Sequence, residues 1–393
     1  MKDTILLFES RDLCYESNRY FMECIAEVLE EKGFFVEICD LSVRMEQKLE
    51  DILHKKERYL FAVDFNSLLP RIVLEDGTPY LDAFGVLFFN YLVDHPLYHH
   101  AGLKKKLSNY SVICIDVCHL NYLKRFYPHI EHAFYLPLGA VRAGMERSFD
   151  QKRLELLFLG TYEREDLLYE ELKEYPKQKR REVSSLIEMM RADPELTQED
   201  ALLRYFSEQN EALNAEAFAK RLNEDYLADK YLRNWKRKEA VLAAAKAEVP
   251  FTVMGHGWEH VKGLEQKHVK ICGGVGFAAS VQIMADAKML LNTTPGFHGG
   301  LHDRVYSAMM NHTLCFSEYG LFAGQRFTEG KEIVFYDGAG MEDLPEKISY
   351  MHNHPSEAKE ITKRAFQKVL IKDTWESRVE ELVAECRKTG SGI

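Results

Sequence analysis

The stretch from Asn292 to Arg304, NTTPGFHGGLHDR, gathers residue types that together bind an anion. A short apolar run, Met289-Leu290-Leu291, ends at Asn292, and a glycine turn at Gly299-Gly300 follows His298. Leu301, Val305, Ala308 and Met309 then recur at helical spacing. A strand, a glycine turn and a fresh helix N-terminus leave backbone N–H groups unpaired at the edge of a sheet. Such a place favours a phosphate through both hydrogen bonds and the helix dipole. In a helix starting at Leu301, Arg304 stands about one turn in and can add a bidentate contact. His302, Asp303, Arg304 and Ser307 fall on or near the exposed flank. The same pattern also serves as a plain crossover turn whose glycines only fit the backbone, so the stretch alone leaves both roles open.

Three other places offer polar or glycine-rich loops after apolar runs. Gly160-Thr161 follows Leu154 to Leu159, and Gly255-His256-Gly257-Trp258 follows Phe251 to Met254. Asp94-His95-Pro96 follows Phe84 to Tyr91 and supplies a candidate acid/base. A proline-fixed turn with a capping aspartate explains that tripeptide equally well. Gly273-Gly274-Val275-Gly276-Phe277-Ala278 approximates a dinucleotide fingerprint, but it lacks the long preceding strand and the acid about 20 residues on, so it reads as a loop.

Several chemistries are missing. No GxSxG elbow and no Walker-type GxxxxGK[ST] occurs, so the HGGL at His298 has no nucleophile to serve. His298 and His302 are separated by two glycines, which disfavours a helical metal pair, and the cluster of Asp94, His95, His99 and His100 is only local. No two aspartates are separated by a single residue, so a DxD metal-binding arrangement is absent. A mechanism without metal or other cofactor is expected, with backbone dipoles and Arg304 neutralising charge.

The elements that must position these residues alternate in a regular way. Up to about residue 140, short strands that are apolar throughout alternate with amphipathic helices, the first capped by Ser17 and ended near Gly33. That pattern predicts a doubly wound parallel sheet covered on both faces. A charged linker, 141–153, leads to a second Rossmann-like domain, 154–373. Residues 163–248 interrupt it as a helical insertion without glycine, in which 215–247 reads as one unbroken helix. Its apolar and aromatic positions, Phe218, Leu222 and Tyr226 with Leu227, Tyr231 and Trp235, suit core packing. The insertion could act as a lid, recognise a large acceptor or form a homodimer. The segment 374–393 is a helix that packs back on the body. Two such domains make a cleft with strand C-terminal ends facing across it.

Bulk properties narrow the partners. A net charge of −11 disfavours nucleic acid, and the basic clusters at Lys104–Lys106, Lys177–Arg181 and Lys230–Lys238 read as solvated helix faces. Eight cysteines without a CxxC pair suit free thiols in a reducing compartment. No leader profile and no run near the ~20 apolar residues of a membrane span is found. A cytoplasmic protein is expected.

With these residues in hand, the C-terminal half resembles the group-1 type C-terminal domain of GT-B glycosyltransferases, closest to bacterial proteins related to spore-maturation glycosyltransferases. The likeness lies in Gly255-His256-Gly257-Trp258, Leu291-Asn292, Pro295-Gly296-Phe297, Gly300 to Val305 with Ala308-Met309, Phe327 to Gly330, and Thr374 to Arg378. Tyr91 to Tyr98, YLVDHPLY, resembles the same family's N-terminal domain. The resemblance implies a nucleotide-sugar donor held by the C-terminal domain and a protein or glycan acceptor held by the N-terminal one. It puts pyrophosphate at His298 to Arg304, and ribose or sugar hydroxyls at Asn292 and Glu318. Retaining members carry two glutamates around the turn; those positions are Gly299 and Ser307 here. Asp303 or Glu318 then takes over hydroxyl binding, or the chemistry inverts with Asp94 or His95 as base. A non-catalytic binding or assembly protein of the same shape, and an epimerase, stay open as other readings.

Overall fold

A computed structural model of the chain describes residues 4–10, 16–294 and 296–389. Cys14 and Pro295 lie outside the described residues. The chain forms two units, each built on its own six-stranded, all-parallel sheet. Among the described residues no helix is long and apolar enough to cross a membrane.

The N-terminal unit contains β1 (Thr4–Glu9), β2 (Phe35–Asp40), β3 (Tyr59–Phe65), β4 (Leu87–Leu92), β5 (Tyr110–Cys114) and β6 (His132–Tyr135). They lie in the order β2-β1-β3-β4-β5-β6. β1 and β3 are buried along their whole length, as their apolar runs Ile5–Phe8 and Tyr59–Val63 require of central strands clad on both faces. Leu7 pairs with Ile38 on one side and Val63 on the other. The helix Ser17–Glu31 does not use Ser17 as a cap. The preceding Glu16 takes a left-handed conformation (φ 60°) and Ser17 is already helical.

The C-terminal unit contains β7 (Leu154–Leu159), β8 (Phe251–Met254), β9 (Val269–Cys272), β10 (Ala287–Leu291), β11 (Leu314–Glu318) and β12 (Val334–Tyr336). Their order is β12-β11-β10-β7-β8-β9. The chain winds outward from β7 in one direction and returns at β10 to wind in the other. The switch point therefore lies between β7 and β10, where open parallel sheets leave a crevice at the strand C-terminal ends. In the N-terminal sheet the corresponding reversal lies between β1 and β3.

The chain passes between the units four times. Leu213–Asn223, from the helical segment, and the described residues from Trp375 onward belong to the N-terminal unit. Phe218 stacks on Phe126 with ring centroids 4.8 Å apart, and Trp375 packs on Phe21 at 5.5 Å. The helical insertion is thus not wholly a part of the C-terminal half. Nor is 215–247 one helix: it divides into Ala215–Glu224 and Tyr226–Ala245. Asp225 at the break is fully buried, ion-paired with Lys179, and its carbonyl accepts the Gln198 amide at 2.9 Å. Those contacts break the helix without glycine or proline.

The expected linker is stitched into the C-terminal unit. Val141 N–H donates to Ser307 Oγ at 3.1 Å, and Ala143 N–H to Asn311 Oδ1 at 2.8 Å. Lys152, itself buried, donates to the carbonyls of Ala285, Ala287 and Asn311 and to Thr313 Oγ1, all within 3.1 Å. Ser307 is consequently 1 % exposed rather than on an open flank.

Candidate functional site

The glycine turn begins where β10 ends. Asn292 is fully buried, and its backbone N–H continues the ladder to Phe316 O at 2.8 Å. Its Nδ2 donates to Ser317 Oγ at 3.0 Å, and its carbonyl accepts the Tyr336 hydroxyl at 2.8 Å. The remaining oxygen, Oδ1, faces Arg304 Nη1 at 3.5 Å. This is the one hydrogen bond of the Arg304 guanidinium among the described residues. Burial works against its charge and lowers its pKa, while the neighbouring Asp303 carboxylate works for it.

The helix following the turn is Asp303–Met310, two residues later than the apolar spacing suggests. His302 lies outside it as the N-cap, its Nδ1 accepting the Arg304 N–H at 3.2 Å. The same nitrogen lies 2.6 Å from Asp303 Oδ1. Burial, and after it the Arg304 charge, hold His302 below the usual histidine range, with Asp303 pulling the other way and Arg237 adding to the depression. Burial alone would raise the Asp303 carboxyl; His302 and Arg304 more than offset this and hold it low. Leu301, Val305, Ala308 and Met309 are all buried, which anchors the helix on the sheet. His298 is half-buried in the turn, and Gly299 and Gly300 are buried.

The loops after β7 and β8 are bound to each other. Gly255 and Gly257 both have positive φ, and a Cβ on them would fall 2.1 Å from Gly160 O and 2.0 Å from Tyr162 O. Only glycine permits that approach. Trp258 has no exposed surface; its Nε1 donates to Gly160 O at 2.6 Å and its ring stacks on Tyr162 at 5.1 Å. Trp258 therefore anchors the Gly160-Thr161 loop from beneath and does not itself reach a ligand. Gly255 and Gly257 likewise shape the crevice through packing.

The residues that sequence reasoning missed come from the helix Tyr226–Ala245, whose basic run is not a solvated face. Arg237 Nη1 donates to Thr161 O at 3.1 Å, and Lys236 Nζ lies 3.5 Å from Glu318 Oε2 at the end of β11. Lys230 pairs with Glu163 at 2.6 Å, Lys238 with Glu165, and Arg233 with Asp229. Glu318 is 7 % exposed, and its other oxygen, Oε1, has no hydrogen-bond partner among the described residues. Arg304, Arg237 and Lys236 thus approach the ends of β7, β10 and β11, beside the buried Glu318 carboxylate. The alternation of lysine and arginine with aromatics was the only sequence signal, and it is the same for a face turned inward or outward.

In the N-terminal unit, Asp94 and His95 follow β4, both half-buried. Asn66 Nδ2 donates to Asp94 Oδ2 at 2.8 Å. His95 Nδ1 accepts the Leu97 N–H at 3.0 Å, and its ring lies 4.5 Å from that of His119 and 4.9 Å from that of Tyr122. Nδ1 is therefore engaged as an acceptor from the backbone.

Residues 230–384 match the glycosyl transferase-like family. No curated protein matches the chain in sequence. Solved structures resemble it over its whole length at low identity. A sucrose-phosphate synthase from Thermosynechococcus elongatus superposes with a TM-score of 0.57 at 11% identity, covering 100% of both chains. The Anabaena protein HepE, solved with UDP and glucose, gives 0.55 at 9% identity, covering 98% of this chain and 99% of that one. An alpha-glucosyltransferase solved with UDP-glucose and DNA containing an abasic site gives 0.57 at 9% identity, with 98% and 99% covered. The fold is GT-B, and its C-terminal half carries a glycosyl transferase-like domain.

Proposed function

We propose that the protein transfers a sugar from a nucleotide-sugar, a UDP-sugar first among candidates, to an acceptor hydroxyl on a glycan or protein. The observation that carries this reading is the convergence of Arg304, Arg237 and Lys236 on the switch point of the C-terminal sheet, beside the unpartnered Glu318 Oε1. Cations at that edge suit a diphosphate leaving group, and a buried carboxylate suits a sugar or ribose hydroxyl. The UDP and UDP-glucose held by two proteins of the same fold support the choice of nucleotide. The motifs from Gly300 to Met309 and from Tyr91 to Tyr98 support a closer kinship with spore-maturation-type glycosyltransferases.

In this scheme Arg304 and the turn at His298 to Asp303 hold the diphosphate, with Lys236 and Arg237 adding charge in place of a metal. Asn292 orients Arg304. Asp94 takes the acceptor hydroxyl proton while the acceptor oxygen bonds to the anomeric carbon. The bond from that carbon to the diphosphate oxygen breaks, and its electron pair leaves with the nucleoside diphosphate. A single displacement of this kind inverts the anomeric centre, which fits Gly299 and the buried Ser307 where retaining relatives carry glutamates. The seven described cysteines are unbonded, which suits the cytoplasm.

The test is a thermal-shift series with UDP-, GDP-, dTDP- and CMP-sugars, each with EDTA and with added divalent metal. One nucleotide class should raise the melting temperature equally in both conditions. Stabilisation only with metal would overturn the metal-free part, and no stabilisation by any nucleotide-sugar would overturn the donor assignment. NMR of the transferred sugar then reports its anomeric configuration.

A further inference from the structure

We infer that Asn66 is a positioning residue for Asp94, fixing which of its carboxylate oxygens is presented to the acceptor; this rests on the reading of Asp94 as the base. Asn66 is the residue after β3, adjacent to the point where the N-terminal sheet reverses its winding. It is fully buried and held in a left-handed conformation, φ 47°, which asparagine tolerates better than other non-glycine residues. Its backbone N–H donates to Tyr91 O at 3.0 Å, in line with the ladder between β3 and β4.

From that position the side chain reaches across to the next loop with both of its polar atoms. Oδ1 accepts the Val93 N–H at 3.0 Å, and Nδ2 donates to Asp94 Oδ2 at 2.8 Å. The orientation of the amide is not arbitrary. A backbone N–H requires the oxygen opposite it, so the nitrogen must face the carboxylate. A second asparagine returns the contact: Asn90, on β4, accepts the Ser67 N–H at 2.9 Å and donates to the Tyr110 hydroxyl at 2.8 Å. The loops after β3 and β4 are therefore cross-clamped by two side-chain amides, each using its oxygen and its nitrogen.

The consequence for Asp94 is chemical. Oδ2 is occupied by the amide, while Oδ1 has no hydrogen-bond partner among the described residues. A carboxylate gripped through one oxygen presents the other in a fixed direction, as a general base requires. A merely structural role for Asn66 would need only the Val93 contact. Asn66→Asp separates the two roles: it keeps an oxygen for the Val93 N–H and the left-handed backbone, but replaces the donor facing Asp94 with an acceptor.

Two measurements on the full chain test this. The first is a stability cycle by thermal melting of N66D, D94N and N66D/D94N, which needs no substrate. Exchanging donor and acceptor across the same contact should make the double variant melt well above the value that adding the two single effects gives. Additive losses would overturn the inference. The second uses UDP-glucose with water as acceptor, followed as UDP release. N66D should lower kcat by roughly tenfold or more, part of what a general base supplies, with the donor KM little changed. N66D turnover at the wild-type rate beside an inactive D94N would overturn the inference and leave the proposed function standing. Full turnover by D94N would instead remove Asp94 as the base, and the inference with it.

Discussion

Arg304 is held by one long hydrogen bond to Asn292 and balanced by Asp303, so removing its guanidinium disturbs little packing. An Arg304→Ala variant should melt close to the parent yet bind the nucleotide-sugar at least about tenfold more weakly, since a charge-assisted phosphate contact contributes roughly 1.5–3 kcal/mol. Calorimetric titration with the nucleotide chosen by thermal shift checks this. Asp64, at the end of β3, carries a different test. It is 1 % exposed, and burial pushes its carboxyl up to about 7, with hydrogen bonds from Ser10 and Ser67 opposing the rise. The folded chain therefore keeps a proton that the unfolded chain releases from about pH 4 upward. The associated stability is full below pH 4 and is lost as pH rises through 7. Asp64→Asn should flatten the melting temperature between pH 4 and 7; an unchanged slope would refute the argument. Neither residue's setting was visible in sequence in the same degree. Arg304 stands in a recognisable turn, whereas an aspartate ending an apolar strand gives no sign of how dry its surroundings are. Trp258 misled for the opposite reason: an aromatic straight after a glycine pair in a loop looks available, and its burial depends on Phe158 and Tyr162, far away in the chain.

Among the elements, the central strands were legible because β1, β3 and β10 are built on the apolar runs Ile5–Phe8, Tyr59–Val63 and Met289–Leu291, and parallel sheets bury both faces of such strands. The start of the helix Asp303–Met310 was not, because His302 caps it through a ring nitrogen while Leu301 only mimics its first turn. The basic face of Tyr226–Ala245 was hidden because charge patterns do not encode direction. Two predictions belong at this level. Lys152 ties together the carbonyls of Ala285 and Ala287, where a helix passes into β10, and that of Asn311, after the helix Asp303–Met310. Lys152→Met would leave those acceptors without their donor and should cost about 3 kcal/mol or more, read by urea unfolding. Gly257→Ala would place a methyl against Tyr162 O at a backbone angle alanine avoids. It should destabilise the chain and displace the Gly160-Thr161 loop, weakening donor binding by more than its loss of stability explains; equal effects on melting and affinity would count against that coupling.

At the scale of the molecule, two parallel sheets could be counted from the alternation of strands and helices, but the assignment of helices to units could not. Leu213–Asn223 and Trp375–Lys388 carry no mark in sequence of which core they cover. The structure gives both to the N-terminal unit, where Asn223 Nδ2 donates to Leu97 O at 2.7 Å in the loop after Asp94 and His95. A fragment ending at Gly139 would expose Phe21 and Phe126, and should show no cooperative melting by calorimetry, unlike the full chain. Gly139 itself admits no side chain, because a Cβ there would fall 2.6 Å from the Trp375 ring. The four crossings between units also set a schedule for synthesis. Helix Trp375–Lys388 leaves the ribosome only after about 250 further residues have followed the sheet it covers, on the order of 12 to 50 s at 5–20 residues per second. The unit that is translated first is completed last, and for that interval the apolar surface around Phe21 lacks its cover.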